Sequence, residues 1–221
     1  MIKVAMLAAC AGLVFKGLAA EPNGDGFASV FNGKDLSGWI GATQSYVVQD
    51  SALYSLPDKH GNLMLEKQYS DFVLRLEFQL AANGNNGVVL RMKDVNGSPT
   101  RSGMELQILD DGGDQYKSLK DYQYNGSIYG IAPAKRGFLK PAGQWNAQEV
   151  RAIGSRITIV LNGTVIVDAD LKDVRKTLDG IEHPGLHNAQ GYLGLMAHYT
   201  RVGFRNIRIK EIKQGDSCAG T

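Results

Sequence analysis

The sequence predicts an all-β chain, a sandwich or barrel of antiparallel strands in one domain. Three observations predict it. Apolar residues recur with a period of two through most of the chain, turn dipeptides interrupt them at short intervals, and only residues 171–178 read as a short helix. Many short strands with Gly-rich turns leave a sandwich or a barrel as the way to bury one face of each strand. At 221 residues the chain suits one core, and 27 glycines with a formal charge of +2 describe a turn-rich globular protein.

The elements follow in order. Residues 1–20 carry Lys3, an apolar run from Val4 to Phe15, and small residues ending at Ala20. This has the form of a secretory signal; the alternative is a buried N-terminal helix, and the run is too short to span a bilayer. Leu7 to Cys10 has the form of a lipobox, so a membrane is expected as a partner only if Cys10 is lipidated. The expected location is outside the cytoplasm, periplasmic or extracellular. Cleavage after Ala20 leaves Cys218 as the lone cysteine, in a polar tail at 214–221, which excludes a disulfide framework in the mature chain. Residues 21–26 form a Gly/Pro/Asn/Asp-rich linker, and 27–213 the domain.

Within the domain, strands are expected at 28–31, 46–49, 52–55, 63–66, 72–80, 87–93, 103–109, 127–129, 147–153, 156–161, 164–168, 192–198 and 203–212. The clearest is 72–80, where Phe72, Leu74, Leu76, Phe78 and Leu80 share one face and Val73, Arg75, Glu77 and Gln79 the other. Asn162-Gly163 between two strands reads as a two-residue hairpin with a type I′ turn.

The same alternation sorts the polar residues. Glu77 opposes the apolar row of its strand, Arg91 shares a face with Val89, and Glu105 and Gln107 oppose Met104, Leu106 and Ile108. If these strands are neighbours, Glu77, Arg91, Glu105 and Gln107 gather on one surface, where an arginine between carboxylates holds them ionised and oriented. The competing reading is an ordinary solvated sheet face with cross-strand ion pairs. The turn from Gly84 through Asn85 and Asn86 to Gly87 admits close approach of a ligand. The tyrosines of 115–129, Tyr129 among them, suit the CH face and hydroxyls of a sugar, although tyrosines also pack in ordinary loops. His198 ends the strand at 192–198. No basic footprint for nucleic acid, P-loop, dinucleotide fingerprint, HExxH, GxSxG or paired CxxC is present, so nucleic-acid and nucleotide partners are not expected.

Seven segments together carry a resemblance. They are Phe31 to Trp39 (FNGKDLSGW), Tyr69 to Phe78 (YSDFVLRLEF), Gly84 to Arg91 (GNNGVVLR), Glu105 to Asp110 (ELQILD), Lys140 to Asn146 (KPAGQWN), Leu161 to Gly163 (LNG) and Phe204 to Ile212 (FRNIRIKEI). The chain resembles the 3-keto-disaccharide hydrolase family from about Phe27 to Ile212. The resemblance implies a concanavalin A-like jelly roll of two antiparallel sheets, export in bacteria, and cleavage of glycosides already oxidised to a ketone at C3. It also implies that Glu77, Arg91, Glu105, Gln107 and Asp110 form the family's polar cluster and that His198 matches a histidine near the end of the penultimate strand. The family has a glycine after that histidine, where this chain has Tyr199.

The chemistry expected of a 3-keto substrate is loss of the C2 proton and elimination of the C1 substituent. Glu105 or His198 is the expected base or acid, Arg91 the stabiliser of negative charge, and Glu77 its orienting partner. Gln107, Asp110, Asn86 and Tyr129 are the expected substrate contacts. A divalent metal held by Glu105, Asp110 or His198 is a possible electrophile in place of Arg91. Glu105 and Asp110 are five residues apart, so they share a face only if a bulge intervenes. The alternatives are a carbohydrate-binding module without chemistry and an ordinary two-carboxylate glycoside hydrolase.

Overall fold

The computed structural model describes residues 24–213. The signal-like segment, Cys10 and the tail with Cys218 lie outside the described residues.

The strands are β1 (Ala28–Ser29), β2 (Trp39–Gly41), β3 (Tyr46–Gln49), β4 (Ala52–Ser55), β5 (His60–Tyr69), β6 (Phe72–Leu80), β7 (Asn85–Met92), β8 (Met104–Leu109), β9 (Trp145–Ile153), β10 (Arg156–Leu161), β11 (Thr164–Asp170), β12 (Gly191–His198) and β13 (Val202–Glu211). They form two antiparallel sheets. The large sheet has the order β11-β10-β9-β6-β13-β4-β3, with β1 also paired to β13; the small sheet has the order β2-β5-β12-β7-β8. The fold is the expected jelly-roll sandwich.

The period-two rows build its core. Phe72, Leu74, Leu76, Phe78 and Leu80 of β6 are all buried, as are Val202, Phe204, Ile207 and Ile209 of β13. They meet Leu63, Leu65, Val88, Leu90, Leu106, Ile108, Leu193 and Leu195 from the small sheet. Each such side chain contributes about 1.5–3 kcal/mol on leaving water, which is why alternation decides the layering. The β10–β11 hairpin turns at Asn162 (φ 48°) and Gly163 (φ 87°), the paired positive angles of the expected type I′ turn.

Two expectations are corrected. Residues 171–178 form only a 3-10 turn at Leu171–Asp173, capped by Asp170 accepting the Lys172 N–H. Residues 127–129 do not form a full strand but bridge β8 through Leu106 and Ile128. The short β2 and the His60 end of β5 extend beyond the strands read from periodicity.

The two sheets differ in their outer faces. That of the large sheet is wet and charged. In the small sheet every residue of β8 is buried, and all of β7 except Asn85. A strand buried on both faces has something folded over its outer side, and that covering material frames the site.

Candidate functional site

Register places the outer-face residues of the small sheet in rows. In one row Met64, Gly194, Val89 and Glu105 are successive cross-strand partners on β5, β12, β7 and β8. In the next, Asn62, Met196, Gly87 and Gln107 are partners in the same way. A third row contains His60 paired with His198. Residues 126–129 continue the sheet beyond β8: the Tyr129 N–H donates to the Glu105 carbonyl at 2.9 Å and the Gln107 N–H to Ser127 at 3.0 Å.

Two loops fold over this face. The β7–β8 connection is tied down by Asn62, whose Nδ2 donates to the carbonyls of Val95 (3.0 Å) and Gly97 (2.9 Å). Beneath it Met64, Val89 and Met92 form a small second apolar cluster with Ile40, Val95, Tyr192 and Met196. After β8, Asp110 accepts N–H bonds from Asn83 (2.8 Å) and Gly112 (3.3 Å), and Asn125 Oδ1 accepts that of Leu109 at 3.1 Å. A groove of about 510 Å³ remains at the β5–β12 side, lined among others by His60, Asn62, Asn96, Met196, His198 and Tyr199.

Glu105 is the chemically distinctive group. It is 8 % exposed, and among the described residues no donor or charge offsets its burial, which alone pushes its carboxyl up to about 7. Its side chain lies across Gly87, where an added Cβ would come within 2.7 Å of Oε1 and 2.9 Å of Cγ. Gly87 is therefore needed for space. Glu105 does not line the groove itself, but Gly87 is the cross-strand neighbour of Met196, which does. Beside it, buried Gln107 makes one long amide contact to Asn85 Oδ1 (3.5 Å) and leaves its Oε1 without a partner. A buried carboxyl that changes charge near neutrality, next to an unspent amide oxygen, can move a proton and accept a hydroxyl. Gly87→Ala is expected to keep the fold, because the clash is with the Glu105 side chain from Cγ outward and with no backbone atom. It is expected to displace the carboxyl and lower turnover by 10-fold or more; unfolding curves beside steady-state rates check it.

The remaining expected site residues divide. Tyr129 is on this face, paired with Glu105; its hydroxyl accepts from Gln123 at 3.0 Å and its ring meets Tyr122 edge-on at 5.8 Å. His198 is on this face too, but in the row of His60. Register puts it four residues along and two strands across from Glu105, on the order of 16 Å between backbones. The two do not act on one proton together.

Glu77 is on the other sheet. On β6 it accepts from Arg205 Nε (2.7 Å) and Asn206 Nδ2 (2.8 Å). Burial works against its ionised form, but those bonds prevail and hold its carboxyl below the ordinary range. It belongs to an ion-pair ladder that includes Arg75 with Glu149 and Arg156 with Asp168, the solvated-face reading of such charges.

Arg91 also leaves the cluster. A register shift between β7 and β12 breaks the alternation there, and Arg91 sits at φ 50°. Its guanidinium donates to the carbonyls of Ser70 (2.9 Å), Gly154 (2.7 Å) and Ala152 (3.3 Å) and to Asp71 Oδ1 (3.0 Å). These partners lie on the β5–β6 turn, the β9–β10 turn and β9, so Arg91 ties the small sheet to the large one.

Asn86 faces inward, fully buried, its Oδ1 accepting the Gly87 N–H at 3.0 Å, and cannot meet a ligand on the outer face. Asp110 is engaged in its turn, and the β7–β8 register runs without a bulge from Asn85 to Leu90, so Glu105 and Asp110 stay on opposite faces. Glu105, Asp110 and His198 are not brought together, and among the described residues no group of three or more His, Cys, Asp or Glu side chains is placed to hold a metal ion.

Three residues of this face were not read as site residues from the sequence: His60, Asn62 and Tyr199, the last noted only as standing where the family has a glycine. The first two lie before the hydrophobic run at 63–66, and only the pairing with β12 shows them to be strand. Tyr199 carries no periodic signal, because it leaves its strand at φ 56°.

Comparison with known proteins gives a consistent picture. The sequence profile of the 3-keto-alpha-glucoside-1,2-lyase-like domain matches residues 26–210. A Bacteroides thetaiotaomicron protein named 3-keto-disaccharide hydrolase is 24 % identical, over 84 % of this chain and 78 % of its own length. The crystal structure of a candidate glycosyl hydrolase from Parabacteroides distasonis superposes with a TM-score of 0.75 at 26 % identity, covering 84 % of this chain and 99 % of that one. The carbohydrate-binding module CBM66 of Bacillus subtilis shares the fold, with a TM-score of 0.55 at 14 % identity over 79 % of this chain and 96 % of its own.

Proposed function

The chain belongs to the 3-keto-alpha-glucoside-1,2-lyase-like domain family, and from that premise we propose that it cleaves glycosides oxidised at C3 by removing the C2 proton. The supporting observation is Glu105, a buried carboxyl poised at about 7 beside Gln107 on the loop-covered face of the small sheet.

The ketone at C3 acidifies the proton on C2. Glu105 in its ionised form takes that proton, and the bonding pair becomes an enolate on O3. Collapse of the enolate restores the C3 carbonyl, forms the C1–C2 double bond and breaks the C1–O bond. The departing oxygen takes a proton, which protonated Glu105 is able to supply because its pKa lies near neutrality. The products are the free aglycone and a 2-hydroxy enone; water added to that double bond turns the net reaction into hydrolysis. Gln107 offers its unpartnered amide oxygen to a substrate hydroxyl. A standard two-carboxylate glycosidase is a poorer fit. Its acids stand about 5–9.5 Å apart across the bond, and among the described residues no second carboxylate acts on Glu105, whose shift has burial as its cause.

The test supplies 3-keto-trehalose, a methyl 3-keto-glucoside and their unoxidised parents. Turnover is expected with the keto compounds alone, with solvent deuterium entering C2 of recovered substrate when elimination is slow. Cleavage of the parents with none of the keto sugars would overturn the reading. Binding without turnover of any of them would identify a carbohydrate-binding module instead.

A further inference from the structure

We propose that Tyr199, flanked by His60 and His198, is the subsite for the neutral ring of the leaving group; this rests on the elimination reading above. Tyr199 is 54 % exposed yet fixed. It holds φ 56°, a region that bulky residues rarely occupy, and its N–H donates to the Lys59 carbonyl at 3.0 Å. Its ring rests against His60 at 5.0 Å and 42° and against His198 at 6.0 Å and 74°. An exposed aromatic ring braced from two sides is a ready platform, with little freedom to lose when a ligand arrives.

The rest of the groove says what kind of ring. Among the described residues no Asp, Glu, Lys or Arg lines it, while Gln44, Asn96 and Ser98 do. Amides and a hydroxyl around an aromatic face suit a ring with apolar CH faces and hydroxyl edges, and the two histidines that brace the ring add donors and acceptors for hydroxyls. Position assigns the role. If Glu105 works on the oxidised ring, the Tyr199 wall lies farther along the same face, where the second ring of a disaccharide extends. A methyl group at C1 does not reach it. Tyr199 is thus a specificity-determining residue and takes no part in the proton transfer.

The experiment compares 3-keto-trehalose with methyl 3-keto-glucoside in wild type, Tyr199→Phe and Tyr199→Gly. Glycine is at ease at positive φ, so a loss in that variant is not a folding defect. Removing the ring is expected to raise KM for the keto-disaccharide about 3- to 10-fold with kcat nearly unchanged, and to leave the methyl glycoside unaffected, whereas Phe preserves both. Equal effects of Tyr199→Gly on the two substrates, or none on either, would overturn the subsite. If wild type turns over no keto sugar, the elimination reading fails by itself. Calorimetric titration with unoxidised trehalose then decides the subsite separately: affinity weakened by Tyr199→Gly supports it, and unchanged affinity or no binding refutes it.

Discussion

Glu105→Gln is expected to lower turnover of 3-keto glycosides by about 10²- to 10⁴-fold while raising the stability of the protein above pH 7. The two effects share one cause. Burial moves the carboxyl from an ordinary 4.5 to about 7 in the folded protein. Below pH 4.5 the group is protonated in both folded and unfolded chains, and nothing is lost. Between 4.5 and 7 the unfolded chain has released the proton and the folded one still holds it, so stability falls as pH rises. Above 7 both are ionised, and the full penalty, about 3 kcal/mol, is in force. Glutamine has no proton to lose. Its advantage should open as pH passes 4.5 and level off past 7, read as unfolding midpoints at pH 4, 6 and 8. The wild-type kcat/KM should rise through the same interval as the base ionises, with its half-point near 7. A variant that is inactive but no more stable at pH 8 would mean that Glu105 is solvated in the free protein. One that is more stable and fully active would remove it from the chemistry.

Arg91→Met is expected to destabilise the protein by about 3–5 kcal/mol. The guanidinium is only 3 % exposed, and its removal takes a donor from the carbonyls of Ser70, Ala152 and Gly154 at the junction of the two sheets and the ion-pair partner from Asp71. Burial lowers the pKa of Arg91, but Asp71 offsets part of this, and the group stays charged. For a domain of this size the loss should lower the melting temperature by roughly 10 °C. Lysine restores charge but not the fork, so Arg91→Lys should recover only part. The discriminating measurement pairs a melting curve with KM at a temperature where the variant is folded: stability falls and KM stays. A changed KM with unchanged stability would return Arg91 to the site.

The large-scale fold was legible because β6 and its neighbours alternate without interruption, and burying every second residue leaves one way to stack two sheets. Glu105 and Gln107 were legible for the same reason, as both sit on a strand whose register does not slip. Glu77 and Arg91 were misplaced by different causes. Parity says which side of its own strand Glu77 occupies, but not which sheet that strand joins; β5 and β6 are consecutive in the chain and part into different sheets at Ser70-Asp71. Arg91 was read by continuing a period of two through a register shift that no local signal marks. Asn86 was taken for a turn residue although it lies inside β7. His60 and Asn62 were invisible because what matters about them is their partner strand. The depressed and elevated carboxyls, Glu77 and Glu105, look alike in sequence; a neighbouring guanidinium distinguishes the first, and a lack of any donor the second.

The unequal outer faces also set where the protein can tolerate change over evolutionary time. Exposed pairs of the ladder type each contribute at most about 1 kcal/mol, so the exterior of the large sheet can exchange its residues almost freely and drift among relatives. The exterior of the small sheet is already a second interior, filled by Met64, Val89 and Met92 under the β7–β8 loop. A substitution there disturbs packing and chemistry at once. On the subsite proposed above, adaptation to new glycosides is channelled to the groove margin beside Tyr199, where an exposed side chain can vary without opening a void.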